Sequence, residues 1–203
     1  ILHFVVYAGF VIINIEVLEI VLDGLLGTHR LFSPLGSIYT FLISTFEILA
    51  LLVLVACVIF FIRRNVLRIK RFLSPEMEGW PKTDANLILI TEVLLMSAFL
   101  LMNIIDAQLQ SIGAEHYTQV GSFAISGMFE GMFAGFSESG LIAFERGLWW
   151  FHIIGIFAFL NYLPYSKHFH ILLAFPNVFY SKLTPKGQLP NMESVKKEVE
   201  LMF

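Results

Sequence analysis

Charge and cysteine are what this sequence has little of. Only 14% of its 203 residues are Asp, Glu, Lys or Arg, against 57% hydrophobic and 15% aromatic, and a water-soluble domain cannot cover its surface with so few polar groups. The chain therefore reads as a membrane protein. Its single cysteine, Cys57, lies in an apolar run. That excludes an internal disulfide, and it excludes an iron–sulfur cluster held by about four thiolates of this chain. Any such cluster belongs to a partner or to another domain. The 13 basic residues form no continuous cationic stripe, which argues against nucleic-acid binding. Internal repeats, phosphate-binding loops, nucleophile triads and zinc signatures are missing too. So are a basic n-region and a small-residue cleavage site: the chain is apolar from Ile1, without Met, and we expect a segment to precede it.

What is present is hydrocarbon-length apolar sequence. A spanning helix needs about 20 apolar residues, and four segments qualify, roughly 1–26, 35–62, 85–108 and 148–175. The expected fold is an all-α transmembrane bundle over 1–180, with 181–203 as a tail or linker to a soluble module. Arg63, Arg64, Arg68, Lys70, Arg71 and Lys82 follow the second span, and Lys167, Lys182, Lys186, Lys196 and Lys197 accompany or follow the fourth. Arg30 and Arg146 alone fall on the other side, so the positive-inside rule makes both chain ends cytoplasmic, in the inner membrane. The third connection carries five glycines between Gly121 and Gly140. Ser122 to Phe136 within it is too short to span and reads as an interfacial or partly re-entrant cap. Trp149 and Trp150 fit an interfacial aromatic belt.

Ionisable residues inside spans carry the chemistry, because each must face the bundle interior. In the fourth span His152 and His170 are eighteen residues apart. In a continuous helix that is about five turns and about 27 Å, placing both imidazoles on one face near opposite leaflets. Neutral imidazole is a usual axial ligand of haem iron. His168 points elsewhere and reads as interfacial, and Pro164 introduces a kink. In the first span Glu16, Glu19 and Asp23, spaced by three and four, share a face. Glu47, Glu92 and Asp106 add further carboxylates. Two readings of the first-span carboxylates stand side by side: proton exchange with a quinone, and internal hydrogen bonding to Asn14, Asn103, Asn161 and hydroxyls.

The pattern His152, eleven residues, Pro164-Tyr165-Ser166-Lys167, two residues, His170 resembles the last span of the respiratory nitrate reductase gamma subunit, a dihaem quinol-oxidising cytochrome b. The stretch from Trp149 to Lys186, with Asn161-Tyr162-Leu163-Pro164-Tyr165-Ser166-Lys167-His168-Phe169-His170 and Phe175-Pro176-Asn177, looks more like the membrane part of heterodisulfide reductase-related iron–sulfur oxidoreductases. Gly27-Thr28-His29-Arg30 carries the likeness more weakly. The resemblance implies a further span before the first and iron–sulfur domains after the tail. It also implies bis-histidine haem b: His3 with His170 for an inner haem, and His29 with His152 for an outer one. For His29 to meet His152 the Gly24–Pro34 region must end the helix and fold back; His116 in the long connection is the rival ligand. The implied function is electron transfer between the quinone pool and a cytoplasmic iron–sulfur module docked on Arg63 to Arg71 and the tail. A proton-conducting or transporter subunit, and a purely structural tether, are the competing classes.

Overall fold

The computed structural model describes residues 2–72, 74–129, 131–183, 187 and 192–202. Ile1, expected to open the first span, and Lys186 of the basic tail lie outside them. Helices α1 (Leu2–Leu26), α2 (Ser37–Asn65), α3 (Trp80–Ser111) and α4 (Glu138–Tyr162) are followed by the short α5 (His170–Phe179) and α6 (Glu193–Met202), with no strand among the described residues. The first four are long and apolar enough to cross a membrane. The protein is a transmembrane helical bundle. Phe4, Ile15, Leu18, Phe41, Leu52, Leu94, Phe151 and Ile154 stand exposed along these helices, a surface untenable in water and ordinary against acyl chains.

Residues 1–168 and 169–203 form two compact units. The division falls at Phe169, earlier than the tail boundary expected near 181. In the first unit α1 packs on α2, α2 on α3 and α3 on α4. Close approach rests on small residues, as membrane helices require. A Cβ on Gly9 would come within 2.4 Å of Val53 on α2, and one on Gly155 within 2.6 Å of Leu95 on α3. A Cβ on Gly24 would meet the Trp149 ring at 2.7 Å, so Gly24 serves helix contact, and it is Gly27, at φ +68°, that ends α1.

The fourth helix differs most from its expected bounds. It begins ten residues earlier, at Glu138, where the Ser137 hydroxyl accepts the Gly140 N–H and Glu138 complements the helix dipole. It ends at Tyr162, and three-ten turns at Leu163–Tyr165 and Lys167–Phe169 precede α5. Pro164 removes a helical N–H, and Ser166 is extended at ψ 153°. No continuous helix joins His152 to His170, so counting turns does not relate the two rings. His152 is the fifteenth of the twenty-eight residues Glu138–Tyr165, midway along that span.

Candidate functional site

Two regions of the first unit concentrate unusual side chains. At the end where α1 and α3 meet the following loops, a buried polar network centres on Asp106 of α3. Its carboxylate accepts from His29 Nε2 at 2.9 Å, Arg30 Nε at 2.8 Å and Gln110 Nε2 at 2.8 Å, and Arg30 Nη2 also reaches it. Arg30 further donates to Tyr39 Oη at 3.1 Å and Asn103 Oδ1 at 3.2 Å, and lies over the Phe123 ring. Burial alone would lower the Arg30 pKa, but adjacent Asp106 more than reverses this and the guanidinium is held charged.

Arg30 sits in the left-handed region at φ 53°, a conformation that needs local support. Carboxylates of α1 supply it. Asp23 accepts the N–H groups of Arg30 at 2.8 Å and Leu31 at 3.1 Å and the Thr28 hydroxyl at 2.6 Å. Glu19 accepts the Phe32 N–H at 2.9 Å and the Tyr39 hydroxyl at 3.0 Å. The three first-span carboxylates do share a face and line one pocket. Two of them hold the turn after α1; Glu16, 4% exposed, keeps one carboxylate oxygen without a partner.

His29 belongs wholly to this network. Its Nδ1 accepts the Thr118 N–H at 3.2 Å, so the ring proton lies on Nε2 towards Asp106, and Tyr117 packs edge-on at 4.9 Å. Tyr117, outside the helices, donates to Glu145 of α4 at 2.9 Å. Burial first, then the Glu145 charge, raises its pKa. Both nitrogens of His29 are thus engaged, and the structure does not bring His29 and His152 together. His116 is exposed in the connection after α3, at φ 72°.

The second region lies at mid-span, where α1 and α4 stand apart and leave a cleft lined by Val6, Phe10, Ile13, Asn14 and Val17 of α1, Glu92 and Leu95 of α3, and His152 and Ile156 of α4. Its empty volume, mouth and adjoining open space included, is about 960 Å³. His152 is 1% exposed and donates from Nδ1 to the Leu95 carbonyl at 3.1 Å. The bond fixes the tautomer and leaves Nε2, with its lone pair, unbonded to protein. This is how second-shell carbonyls prepare histidines for metal. A haem iron fits that donor on the α4 side; the α1 wall offers Asn14 among apolar side chains and no imidazole.

His3, at the start of α1, is exposed with its ring 4.7 Å from that of Phe60. His170 is the first residue of α5, in the second unit. His168 packs its ring 5.6 Å from Phe159. Asp84 of α3 accepts the Tyr162 hydroxyl and the Lys167 N–H at 3.0 Å, and Arg64 donates to the Pro81 carbonyl at 3.3 Å. The expected partners Asn14 and Asn161 instead bond back to their own helices. Tyr39, Tyr117 and Gln110 joined the polar network without a sequence signal beyond their polarity in or beside spans.

No family model matches the chain, and no solved structure matches it. Two curated proteins are similar. The probable iron–sulfur-binding oxidoreductase FadF of Bacillus subtilis (strain 168) is 28% identical over 193 residues, 95% of this chain and 25% of that protein. The EtfAB:quinone oxidoreductase of Syntrophomonas wolfei subsp. wolfei is 25% identical over 124 residues, 59% of this chain and 17% of that protein. This chain therefore spans about a quarter or less of the length of these relatives. Their names support an oxidoreductase relationship, and neither is that of a nitrate reductase gamma subunit.

Proposed function

We propose that this chain is the membrane part of a quinone-linked oxidoreductase that passes electrons between the quinone pool and an iron–sulfur module, with haem b held in the α1–α4 cleft by His152. The observation that carries the reading is His152 itself: mid-span, fully buried, its Nδ1 tied to Leu95 and its Nε2 without a protein bond in a mostly apolar cleft whose other polar residues are Asn14 and Glu92. The names of both relatives, one iron–sulfur-binding and one quinone-reacting, support the partner and the substrate.

When bound, haem b would supply a one-electron carrier. The chain's own residues then have definite tasks. Leu95 orients the His152 ring, while Val6, Phe10, Ile13 and Val17 exclude water. Glu16, with its unpartnered oxygen in the polar pocket, is the first-span carboxylate best placed to exchange protons with a quinone; Glu19 and Asp23 hold the loop beside it. A second haem, between His3 and His170, rests on the sequence resemblance alone. Cytoplasmic ends and docking of the iron–sulfur module on Arg63 to Arg71 rest on the positive-inside rule.

The test is a reduced-minus-oxidised spectrum of membranes carrying the full protein. Bands of reduced haem b are expected, and His152→Ala should lose the haem of this cleft while the protein still inserts. Unchanged haem content in that variant would overturn the assignment, and absence of any b-type band would overturn the electron-transfer reading. The proton-conducting alternative draws on the same carboxylates, but Asp106, Glu19 and Asp23 are tied to loop and arginine donors, which favours a rigid scaffold over a conduction path.

A further inference from the structure

Among the described residues, four buried polar atoms besides Arg64 Nε have no hydrogen-bond partner: Glu16 Oε2 on α1, Glu47 Oε1 on α2, Asn103 Nδ2 on α3, and Ser126 Oγ in the segment that follows α3. Their residues are 4%, 0%, 1% and 1% exposed. They belong to one neighbourhood. Glu16 and Asn103 line the same pocket, and the antiparallel packing of α1 on α2, with Gly9 against Val53 and Glu19 bonded to Tyr39, sets Glu16 level with the turn of α2 from Ile43 to Glu47. Glu47 Oε2 accepts the N–H groups of Ile125 at 2.7 Å and Ser126 at 3.1 Å.

An unsatisfied buried polar group costs about 1–3 kcal/mol, and an isolated buried carboxylate more. The neighbouring cation does not remove the problem, because Arg30 is committed to Asp106, Tyr39 and Asn103 Oδ1. A buried water satisfies such a set when two to four polar atoms surround it, and one proton shared by two carboxyls removes their mutual repulsion. We infer that Glu16 and Glu47 form a water-bridged pair that holds a proton inside the bundle, with Ser126 Oγ and Asn103 Nδ2 completing the water's hydrogen bonds.

The charged and titratable groups around Glu16 are Glu19 and Asp23 on its own helix, Glu47 of α2, Asp106 of α3, Glu145 and Arg146 of α4, and His29 and Arg30 of the loop; Tyr39 completes the network behind them. In the pair an O–H bond breaks on one carboxyl, the bridging water relays the proton, and an O–H bond forms on the other; no electron moves. The inference deepens the quinone reading, on which its role rests: protons released or taken up at a quinone beside Glu16 would have a second station at Glu47. There the segment after α3 is bound, by the N–H groups of Ile125 and Ser126.

Infrared spectroscopy of the reconstituted full protein at neutral pH, in H₂O and D₂O, tests the pair without turnover, quinone or haem. A protonated-carboxyl stretch is expected in the resting protein. Glu16→Gln and Glu47→Gln should each shift or remove that same band, and the double variant should abolish it. Glutamine keeps an acceptor oxygen for the Ile125 and Ser126 N–H groups. Ser126→Ala, which deletes only the hydroxyl, should shift the band as well. No such band in the unaltered protein, two bands each lost with its own residue, or a band indifferent to Glu47→Gln overturns the pair. Loss of the b-type spectrum, by contrast, would strike only the functional reading.

Discussion

The polar network around Asp106 and the cleft around His152 lie along the same helices and have opposite chemistry. In the first, one carboxylate receives donors from His29, Arg30 and Gln110, and two more hold a left-handed turn. Saturated groups of this kind in low dielectric fix a geometry. In the second, an apolar space is left open and the histidine in it has one nitrogen bound and one free of protein. A titratable residue in a span is thus not of itself a site. What distinguishes the cleft is apolar room beside an imidazole nitrogen that no protein group bonds.

The largest effect that would sharpen this contrast is expected at Asp106. Asp106→Ala leaves the Arg30 guanidinium buried and uncompensated, a change of about 3–5 kcal/mol. Loss of folded protein in detergent is expected, read as melting temperature and recovered yield; a variant as stable as the parent would mean that water reaches Arg30 and that the network is not closed. Next comes the cleft. Val17→Phe adds bulk to an open wall, so the apoprotein should hold its stability to within about 1 kcal/mol, unlike overpacking of a filled core. Haem retained on purification should fall severalfold. Full haem content in Val17→Phe would place the cofactor elsewhere.

His29→Ala breaks the comparison directly if the comparison is wrong. It removes the bonds to Asp106 and Thr118, a stability loss of about 1–3 kcal/mol, and should leave the haem content of the surviving protein unchanged. Haem loss there would return His29 to the ligand set implied by the sequence resemblance.

Four spans and the inward face of Glu16, Glu19 and Asp23 were legible because hydropathy and helical spacing are local properties of sequence. The start of α4 was less so, since Glu138, Glu145 and Arg146 depress the hydropathy of its first turns. Ser137 followed by Glu138 was the available signal for a helix start. The relation of His152 to His170 fails for a different reason: Pro164 reads as a kink within a helix, whereas α4 ends at Tyr162 and extended Ser166 breaks the chain direction before α5. The partners of the carboxylates were out of reach altogether. Asp106 meets Arg30 across 76 positions and His29 across 77, and backbone N–H groups, the main donors to Glu19, Asp23 and Glu47, leave no trace in residue type.

The smallest effect concerns the rim of the network, at Tyr117. This residue lies outside the spans and donates to Glu145 while packing against His29. Burial, and then the Glu145 charge, raises its pKa in the folded protein. The folded state therefore keeps the phenolic proton at pH values where the unfolded chain, titrating near about 10, has begun to lose it. The bonded tyrosine contributes fully below that value, and its contribution declines as pH rises from there towards the higher folded-state pKa. In Tyr117→Phe the hydroxyl is gone, so two changes are expected together: a lower melting temperature at neutral pH, from the unmet Glu145 oxygen, and a shallower fall in melting temperature above about pH 10. Parallel alkaline limbs in parent and variant would show that the phenol titrates as if exposed, and that the network closes at His29 without it.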